Sequence, residues 1–201
     1  MKEQLFVEVI KVKNGEFVNP QPHMERIYRT TLHFFSKPLS VEFNNITIPT
    51  DLHSHRLVKC RIVYGRSIVS INFEPYKVRN IKRLSIVEHN TIDYKYKYLN
   101  RDLINKLIVS HSDSDDILIV KNSKVTDTSF TNVVFRDTMG KLYTPKSPLL
   151  AGIKRQHLLD NGIIHEKDIH VNNITLYEGV YLINAMIDLE DEVFIKVGSI
   201  V

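Results

Sequence analysis

The sequence predicts an α+β fold, and three observations support that prediction. Residues 4–12 alternate between two faces and lead into Asn14-Gly15, a dipeptide typical of a tight β-hairpin because both turn residues need positive φ. After Pro22, the side chains of one helix face recur at three- and four-residue steps, which is typical of an amphipathic helix; they are Met24, Ile27, Tyr28, Thr31, Leu32 and Phe35. The continuous apolar run 117–120 indicates a buried strand.

The other elements follow from the same criteria. Runs rich in β-branched residues predict strands at 57–64, 68–73, 81–87, 131–135, 141–144, 180–187 and 192–197. Two shorter helices are predicted, at 101–110 with Asn100 as its cap and at 152–161 before Asn161-Gly162. The inner face of the first of these should carry Leu103, Ile104, Leu107 and Ile108.

The composition narrows the function classes. The chain has 201 residues, 43% hydrophobic and 25% charged, which fits one or two globular domains. Its net charge of +4 is scattered along the chain, so we predict no nucleic-acid partner. The single cysteine, Cys60, excludes a disulfide framework, and His53 and His55 lack a closing ligand, so no metal site is predicted. We find no signal peptide or membrane-length apolar run and expect a soluble, cytoplasmic protein.

The segment 93–98 is the most informative part of the chain. If it is a strand, Tyr94, Tyr96 and Tyr98 share one face, and Lys95 and Lys97 share the other. The lysines then either protect a sheet edge from aggregation or include one amine held in a pocket as a nucleophile. Spacing alone leaves both interpretations open.

A family resemblance favours the nucleophile. Lys97-Tyr98-Leu99-Asn100-Arg101 resembles the Schiff-base lysine segment of class IV, or fold type IV, pyridoxal-phosphate enzymes, which include aminotransferases and aminodeoxychorismate lyase. The resemblance covers most of the chain, as a short form of the family. It continues through Phe6-Val7-Glu8, His23-Met24-Glu25-Arg26, 115–120, 125–133, Thr144-Pro145, 149–155, Leu158-Leu159 and 183–186.

The resemblance implies two small α/β subdomains with the active site between them, and a homodimer. We place the N-terminal subdomain at 1–92, a connecting segment with the reactive lysine at 93–112, and the C-terminal subdomain at 113–201. The implied cofactor is pyridoxal 5′-phosphate, and the implied partner is a small-molecule substrate, either an amino acid or an amino-acid-like compound.

The matched positions imply the following roles. Lys97 would form the aldimine and later move the proton at the substrate Cα. Asp127 stands where the family has the acid that keeps the pyridine nitrogen protonated, although the usual residue there is Glu. Arg26 corresponds to the phosphate-binding arginine.

Three further positions complete the implied site. Ile153 and Lys154 begin the helix whose N–H groups face the phosphate, and Lys154 replaces the threonine that is frequent there. Asn184 corresponds to a second phosphate contact. Arg101 extends the likeness to the lyase and could hold a substrate carboxylate.

These expectations combine into one functional hypothesis with two alternatives. The chain is expected to be a pyridoxal-phosphate-dependent class IV aminotransferase-like enzyme acting on an amino acid through a Lys97 aldimine. The alternatives are a pyruvate elimination of the aminodeoxychorismate lyase type and a non-catalytic binding module that keeps the fold.

Overall fold

The structure is a computed structural model that describes residues 3–201. Two compact units are found: the described part of Met1–Val78 with Tyr96–Asn100, and Arg79–Lys95 with Arg101–Val201. The domain boundaries expected from the sequence stay a prediction. Among the described residues, no helix has both the length and the apolar character needed to cross a membrane.

The described part of the first unit contains a four-stranded sheet and one α-helix. Its strands run in the order β2-β1-β3-β4, and all neighbours are antiparallel. The Asn14-Gly15 hairpin is confirmed, with φ of 53° and 76° at the two turn residues. Cys60, on the third strand, is fully buried as a free thiol. The elements are β1 (Phe6–Lys13), β2 (Glu16–Phe17), α1 (Gln21–Phe35), β3 (Val58–Tyr64) and β4 (Ile68–Pro75).

Helix α1 confirms the predicted helix but buries a different face. The apolar steps placed Tyr28 and Leu32 on the inner side, yet these side chains are 45% and 46% exposed. His23 is buried instead, because its ring forms a hydrogen bond with the buried Glu8 carboxyl of β1 and a polar side chain can then leave water. The buried residues of the helix are His23, Ile27, Thr30 and Thr31.

The strand interpretation of 93–98 is wrong. Only Tyr98 forms a bridge, to Phe6, and Lys97 has a left-handed φ of 55°, which interrupts an extended backbone. Tyr96 and Tyr98 pack against the core of the first unit, whereas Tyr94 packs in a cluster of the second. The three tyrosines therefore do not share one face.

The second unit is built on an eight-stranded sheet. The order is β10-β9-β8-β7-β6-β5, with β11 on β8 and β12 on β11. The pairs β5–β6 and β9–β10 are parallel, and the other pairs are antiparallel. The strands are β5 (Leu84–Glu88), β6 (Asp116–Lys121), β7 (Lys124–Thr128), β8 (Asn132–Asp137), β9 (Leu142–Pro145), β10 (His165–Lys167), β11 (Tyr177–Ile183) and β12 (Phe194–Lys196).

Two helices accompany this sheet, α2 (Asp102–Val109) and α3 (Ile153–Asp160). In α2 the cap position is taken by Arg101, with no side-chain cap bond, so the predicted Asn100 cap is wrong. Leu103, expected on its inner face, is 40% exposed. The apolar run 117–120 is completely buried within β6, as its sequence predicted.

Candidate active site

Lys97 lies in a segment fixed by main-chain hydrogen bonds of the first unit. The Val7 N–H donates to the Lys97 carbonyl at 3.1 Å, and the Leu99 N–H donates to the Leu5 carbonyl at 2.9 Å. The Lys97 side chain is half-buried, while Lys95 is exposed. The main chain around Lys97 is therefore bonded to the start of the first strand, whereas the Lys95 N–H donates to the nearby Asp93 Oδ1 at 3.1 Å.

Aromatic contacts hold both neighbours of Lys97. Tyr96 stacks on His33 with ring centroids 4.9 Å apart, and Tyr98 lies 5.7 Å from Phe6. A left-handed φ costs a non-glycine residue about 1–2 kcal/mol, so it persists only where the surroundings impose it. The two anchored tyrosines impose it on Lys97.

Arg26 forms a two-point ion pair with Glu8. Its Nε donates to Glu8 Oε1 at 2.5 Å, and its Nη2 donates to Glu8 Oε2 at 2.7 Å. Glu8 is fully buried on β1, and the Arg26 side chain is only 11% exposed. Arg26 is therefore not a solvated charge on the helix surface, and the plane of its guanidinium is fixed.

His23 supplies a third donor to the same carboxylate. Its Nδ1 lies 2.8 Å from Glu8 Oε2, and an ionised carboxylate can only accept, so Nδ1 carries the proton. Burial alone would raise the pKa of Glu8, but the charge and hydrogen bonds of Arg26, with His23, bring the pKa down to about 2. Glu8 is thus ionised at any ordinary pH.

The protonation of His23 is set by the same environment. Burial lowers the pKa of His23 below its usual value, and its bond to Glu8 opposes this. The charges of Arg26 and Lys97 lower the pKa further. His23 is accordingly neutral at pH 7, and it lies close enough to Lys97 for the charge of the Lys97 amine to affect it.

In the second unit, Asp127 on β7 is a buried carboxyl with two neutral donors. Asn132 Nδ2 donates to its Oδ1 at 2.8 Å, and the Leu150 N–H donates to its Oδ2 at 2.9 Å. Burial raises the pKa of Asp127 to about 7, although these bonds and the charge of Arg155 act in the opposite direction. No ion pair holds this carboxyl among residues 3–201.

Asn132, on β8, connects Asp127 to the start of α3. Its Nδ2 also donates to the Leu150 carbonyl at 2.8 Å. A Cβ atom on Gly152 would lie 1.8 Å from Asn132 Oδ1, so only glycine allows this approach. No role for Asn132 is predicted from the sequence, where only its place in the matched segment 125–133 points to it.

Helix α3 begins without a side-chain cap. Gly152 occupies the cap position, and the first turn carries no acidic residue, so the N–H groups of Ile153 and Lys154 begin the helix uncapped. Such N–H groups can bind an anion. The Lys154 amine forms an ion pair with Asp188, so its charge is balanced within the second unit.

Asn184 and Arg101 both attach to the turn after β7. Asn184 Nδ2 donates to the Phe130 carbonyl at 3.3 Å, and Arg101 Nη2 donates to the Ser129 carbonyl at 2.6 Å. Asn184 Oδ1 accepts the N–H groups of the two residues at 186 and 187. The Arg101 guanidinium lies 5.8 Å from the Tyr94 ring, and its buried Nε has no hydrogen-bond partner among the described residues.

The structure thus brings the predicted residues into separate groups within each unit. The first unit holds Lys97 and Arg26 with Glu8 and His23. In the second unit, Asp127 and the start of α3 are joined through Asn132, and Arg101 and Asn184 meet at 129–130. Glu8 could have been singled out from the sequence, because it is a charged residue on the same strand face as the apolar Phe6 and Ile10.

Comparison with known proteins identifies relatives over nearly the whole chain. The model of the family described as amino-transferase class IV matches residues 5–189. An uncharacterised protein of Haemophilus influenzae is 35% identical over 182 residues, which cover 89% of this chain and 96% of that protein.

Solved structures confirm the predicted fold. A candidate 4-amino-4-deoxychorismate lyase from Haemophilus somnus matches with a TM-score of 0.80 and 30% identity, covering 94% of this chain and 99% of that one. The PLP-bound form of a hypothetical aminotransferase from Mycobacterium tuberculosis matches with a TM-score of 0.75 and 13% identity, over 98% of this chain and 81% of that one, which concerns the fold alone. Because the family match extends over residues 5–189, the chain belongs to the class IV aminotransferase family, whose members depend on pyridoxal phosphate.

Proposed function

We propose that this protein is a pyridoxal-phosphate-dependent aminotransferase that acts on an amino acid and uses Lys97 as its reactive amine. The observation that carries the proposal is the state of Asp127. Asp127 is a buried carboxyl with two neutral donors and, among the described residues, no ion pair, so its ionisation is costly. A cationic ring N–H beside it would remove that cost.

The other predicted residues fit the remaining groups of the cofactor. Arg26 offers a guanidinium of fixed orientation, and the uncapped N–H groups of Ile153 and Lys154 suit the same phosphate chemistry. Asn184 is a weaker candidate for this role, because its amide already holds the 184–187 turn. When bound, pyridoxal phosphate supplies an aldehyde that condenses with amines and a ring that withdraws electrons from the substrate Cα.

Each residue then has one task in the reaction. Lys97 would hold the cofactor through its aldehyde, an amine condensation that releases water, and, once the substrate amine has displaced it, would accept the Cα proton as a general base. Asp127 would hold the proton on the ring nitrogen, where the cofactor supplies an electron-poor ring. Arg101 holds the substrate carboxylate with its planar guanidinium.

A lyase that eliminates pyruvate is the second candidate. It is favoured by the Lys97-Tyr98-Leu99-Asn100-Arg101 segment and by the 30% identity to the Haemophilus somnus protein. Both reactions need the same lysine and the same acid, so these residues do not distinguish them. The requirement for an amino-group acceptor does. An aminotransferase turns over only with a 2-oxo acid acceptor, whereas the lyase releases pyruvate without one.

The test of the proposal is an absorption spectrum with added pyridoxal 5′-phosphate, followed by borohydride reduction and peptide mapping. We expect a new visible band and a pyridoxyl group on Lys97. A folded protein that gives neither would support the third possibility, a binding module without catalysis. We also propose a homodimer, which light scattering would contradict by a monomer mass at working concentration.

Replacement of Arg101 with alanine should weaken substrate binding more than turnover. Because hydrogen bonds to a charged group contribute about 1.5–3 kcal/mol, KM for a carboxylate substrate should rise roughly tenfold to a hundredfold, with kcat little changed. Steady-state kinetics measures both values. Arg79→Ala is the matched control, because Arg79 is exposed and lies over the Phe130 ring of the same turn. An equal effect of the two variants on KM would contradict the role of Arg101.

A further inference from the structure

We propose that Glu8 is a positioning residue, which holds the Arg26 guanidinium in the orientation that receives a phosphate group. The inference rests on the proposed function, in which Arg26 binds the phosphate of the cofactor. It adds a role for a residue that itself contacts neither the aldehyde nor the ring.

Glu8 lies on a buried, paired strand of the first unit. It lies on β1, opposite Ile62 of β3, and is 0% exposed. Its two oxygens accept from Arg26 Nε at 2.5 Å and Nη2 at 2.7 Å. Two parallel bonds fix both the plane and the rotation of a guanidinium, which a single contact would not do.

His23 keeps the carboxylate itself in place. Its Nδ1–H donates to Glu8 Oε2 at 2.8 Å from one turn before Arg26 on α1. The carboxylate therefore has donors on both oxygens and little freedom to rotate. The three side chains form a buried unit in which the strand fixes the orientation of the helix arginine.

Such a unit matters because arginine has a long, flexible side chain. A free guanidinium would lose rotamer freedom when it binds a phosphate, and Glu8 has already removed that freedom. Glu8 also has an opposing effect, since its negative charge repels a phosphate. Glu8→Asp separates the two effects, because it keeps the charge and withdraws the carboxylate by one methylene.

The experiment compares two aldehydes that differ only in the phosphate, pyridoxal 5′-phosphate and pyridoxal. Absorbance titration gives both dissociation constants, and borohydride reduction shows attachment to Lys97. For Glu8→Asp we expect the dissociation constant of pyridoxal 5′-phosphate to rise roughly tenfold to a hundredfold, as for other residues that support a ligand-binding side chain. Pyridoxal binding should stay within about twofold of the unchanged protein.

Glu25→Asp is the matched control. Glu25 precedes Arg26 on α1, is exposed, and accepts a hydrogen bond from Gln21. The same loss of one methylene there should change neither dissociation constant by more than about twofold. If Glu8→Asp weakens both aldehydes equally, or weakens neither, the proposal is wrong.

A double variant tests whether Glu8 acts through Arg26. In an Arg26→Lys background the two-point bond is already lost, so Glu8→Asp should add less than about a twofold further loss for pyridoxal 5′-phosphate. If Glu8→Asp weakens pyridoxal 5′-phosphate binding as much in the Arg26→Lys background as in the unchanged protein, the proposal is wrong. If Glu8→Asp does not fold, Glu8→Gln replaces it, and an unchanged ratio of the two dissociation constants would count against the inference.

Failure of the proposed function gives a different result. In that case the unchanged protein would attach neither pyridoxal 5′-phosphate nor pyridoxal at Lys97. Attachment of both aldehydes to the unchanged protein, with no phosphate-selective effect in the Glu8 variants, would reject the positioning role alone.

Discussion

Replacement of Lys97 with alanine is expected to abolish the borohydride-stable attachment of pyridoxal 5′-phosphate and to leave the fold intact. The substitution removes the amine with the methylenes that carry it, but it keeps the main-chain bonds of this segment: the Lys97 carbonyl accepts from Val7, and the Leu99 N–H donates to Leu5. Alanine meets the same left-handed φ as lysine, so the backbone cost does not change. Mass spectrometry of the reduced protein gives the label per chain, and circular dichroism reports the fold.

Lys95→Ala is the control for this result. Lys95 is two residues earlier, exposed, and outside the pair of anchored tyrosines. The control should keep full labelling at Lys97. A label that survives in Lys97→Ala, on Lys95 or elsewhere, would show that the reactive amine has been assigned to the wrong residue.

The second large effect concerns Asp127 and the pH dependence of stability. Burial raises the pKa of Asp127 to about 7 from 3.8, so the folded protein binds a proton there that the unfolded chain releases. The stabilisation is complete below pH 4 and is lost as the pH rises to about 7. The shift corresponds to a change in the free energy of unfolding on the order of 4 kcal/mol.

Asp127→Asn should remove this dependence. The difference in unfolding free energy between the two proteins, measured by urea unfolding from pH 4 to pH 8, isolates Asp127 because the other titrating groups are common to both. An amide can accept only one of the two hydrogen bonds from Asn132 and Leu150, so the variant carries a constant cost at every pH. A difference that does not change with pH would contradict the buried, protonated acid.

The same substitution should reduce catalysis. An amide cannot keep a proton on the ring nitrogen, and the loss of one such electrostatic contact typically costs roughly a hundredfold in kcat. Asp127→Glu is the informative comparison, because it keeps the charge and adds one methylene. Activity in the glutamate variant that exceeds that of the asparagine variant by at least about tenfold would support the charge as the cause.

Much of the fold could be predicted because it rests on patterns that the sequence shows directly. The hairpin at 14–15 and the buried run at 117–120 are both confirmed. The prediction of a strand at 93–98 is wrong because the alternation of tyrosines and lysines indicates two faces only if the backbone is continuously extended. A positive φ at Lys97 comes from the packing of its neighbours, which periodicity does not contain.

The family motifs in the sequence single out candidate residues one by one, but they do not show the network of contacts around each residue. The roles that they predict for Arg26 and Asp127 stay predictions. Their partners come from elsewhere in the chain: Glu8 lies 18 residues from Arg26, and Leu150 lies 23 residues from Asp127. Only the folded chain shows that these charges are buried, and burial sets their pKa values.

Because Lys97 has a left-handed backbone, the residue that would best stabilise the fold at this position differs from the residue that the proposed reaction needs. Glycine adopts such a conformation without strain, so Lys97→Gly should stabilise the fold by about 1 kcal/mol relative to Lys97→Ala. A selection for thermal resistance alone would then favour glycine and discard the amine. Directed evolution of this protein for stability therefore needs a simultaneous screen for cofactor attachment, or it will enrich variants that lack the proposed reactive amine.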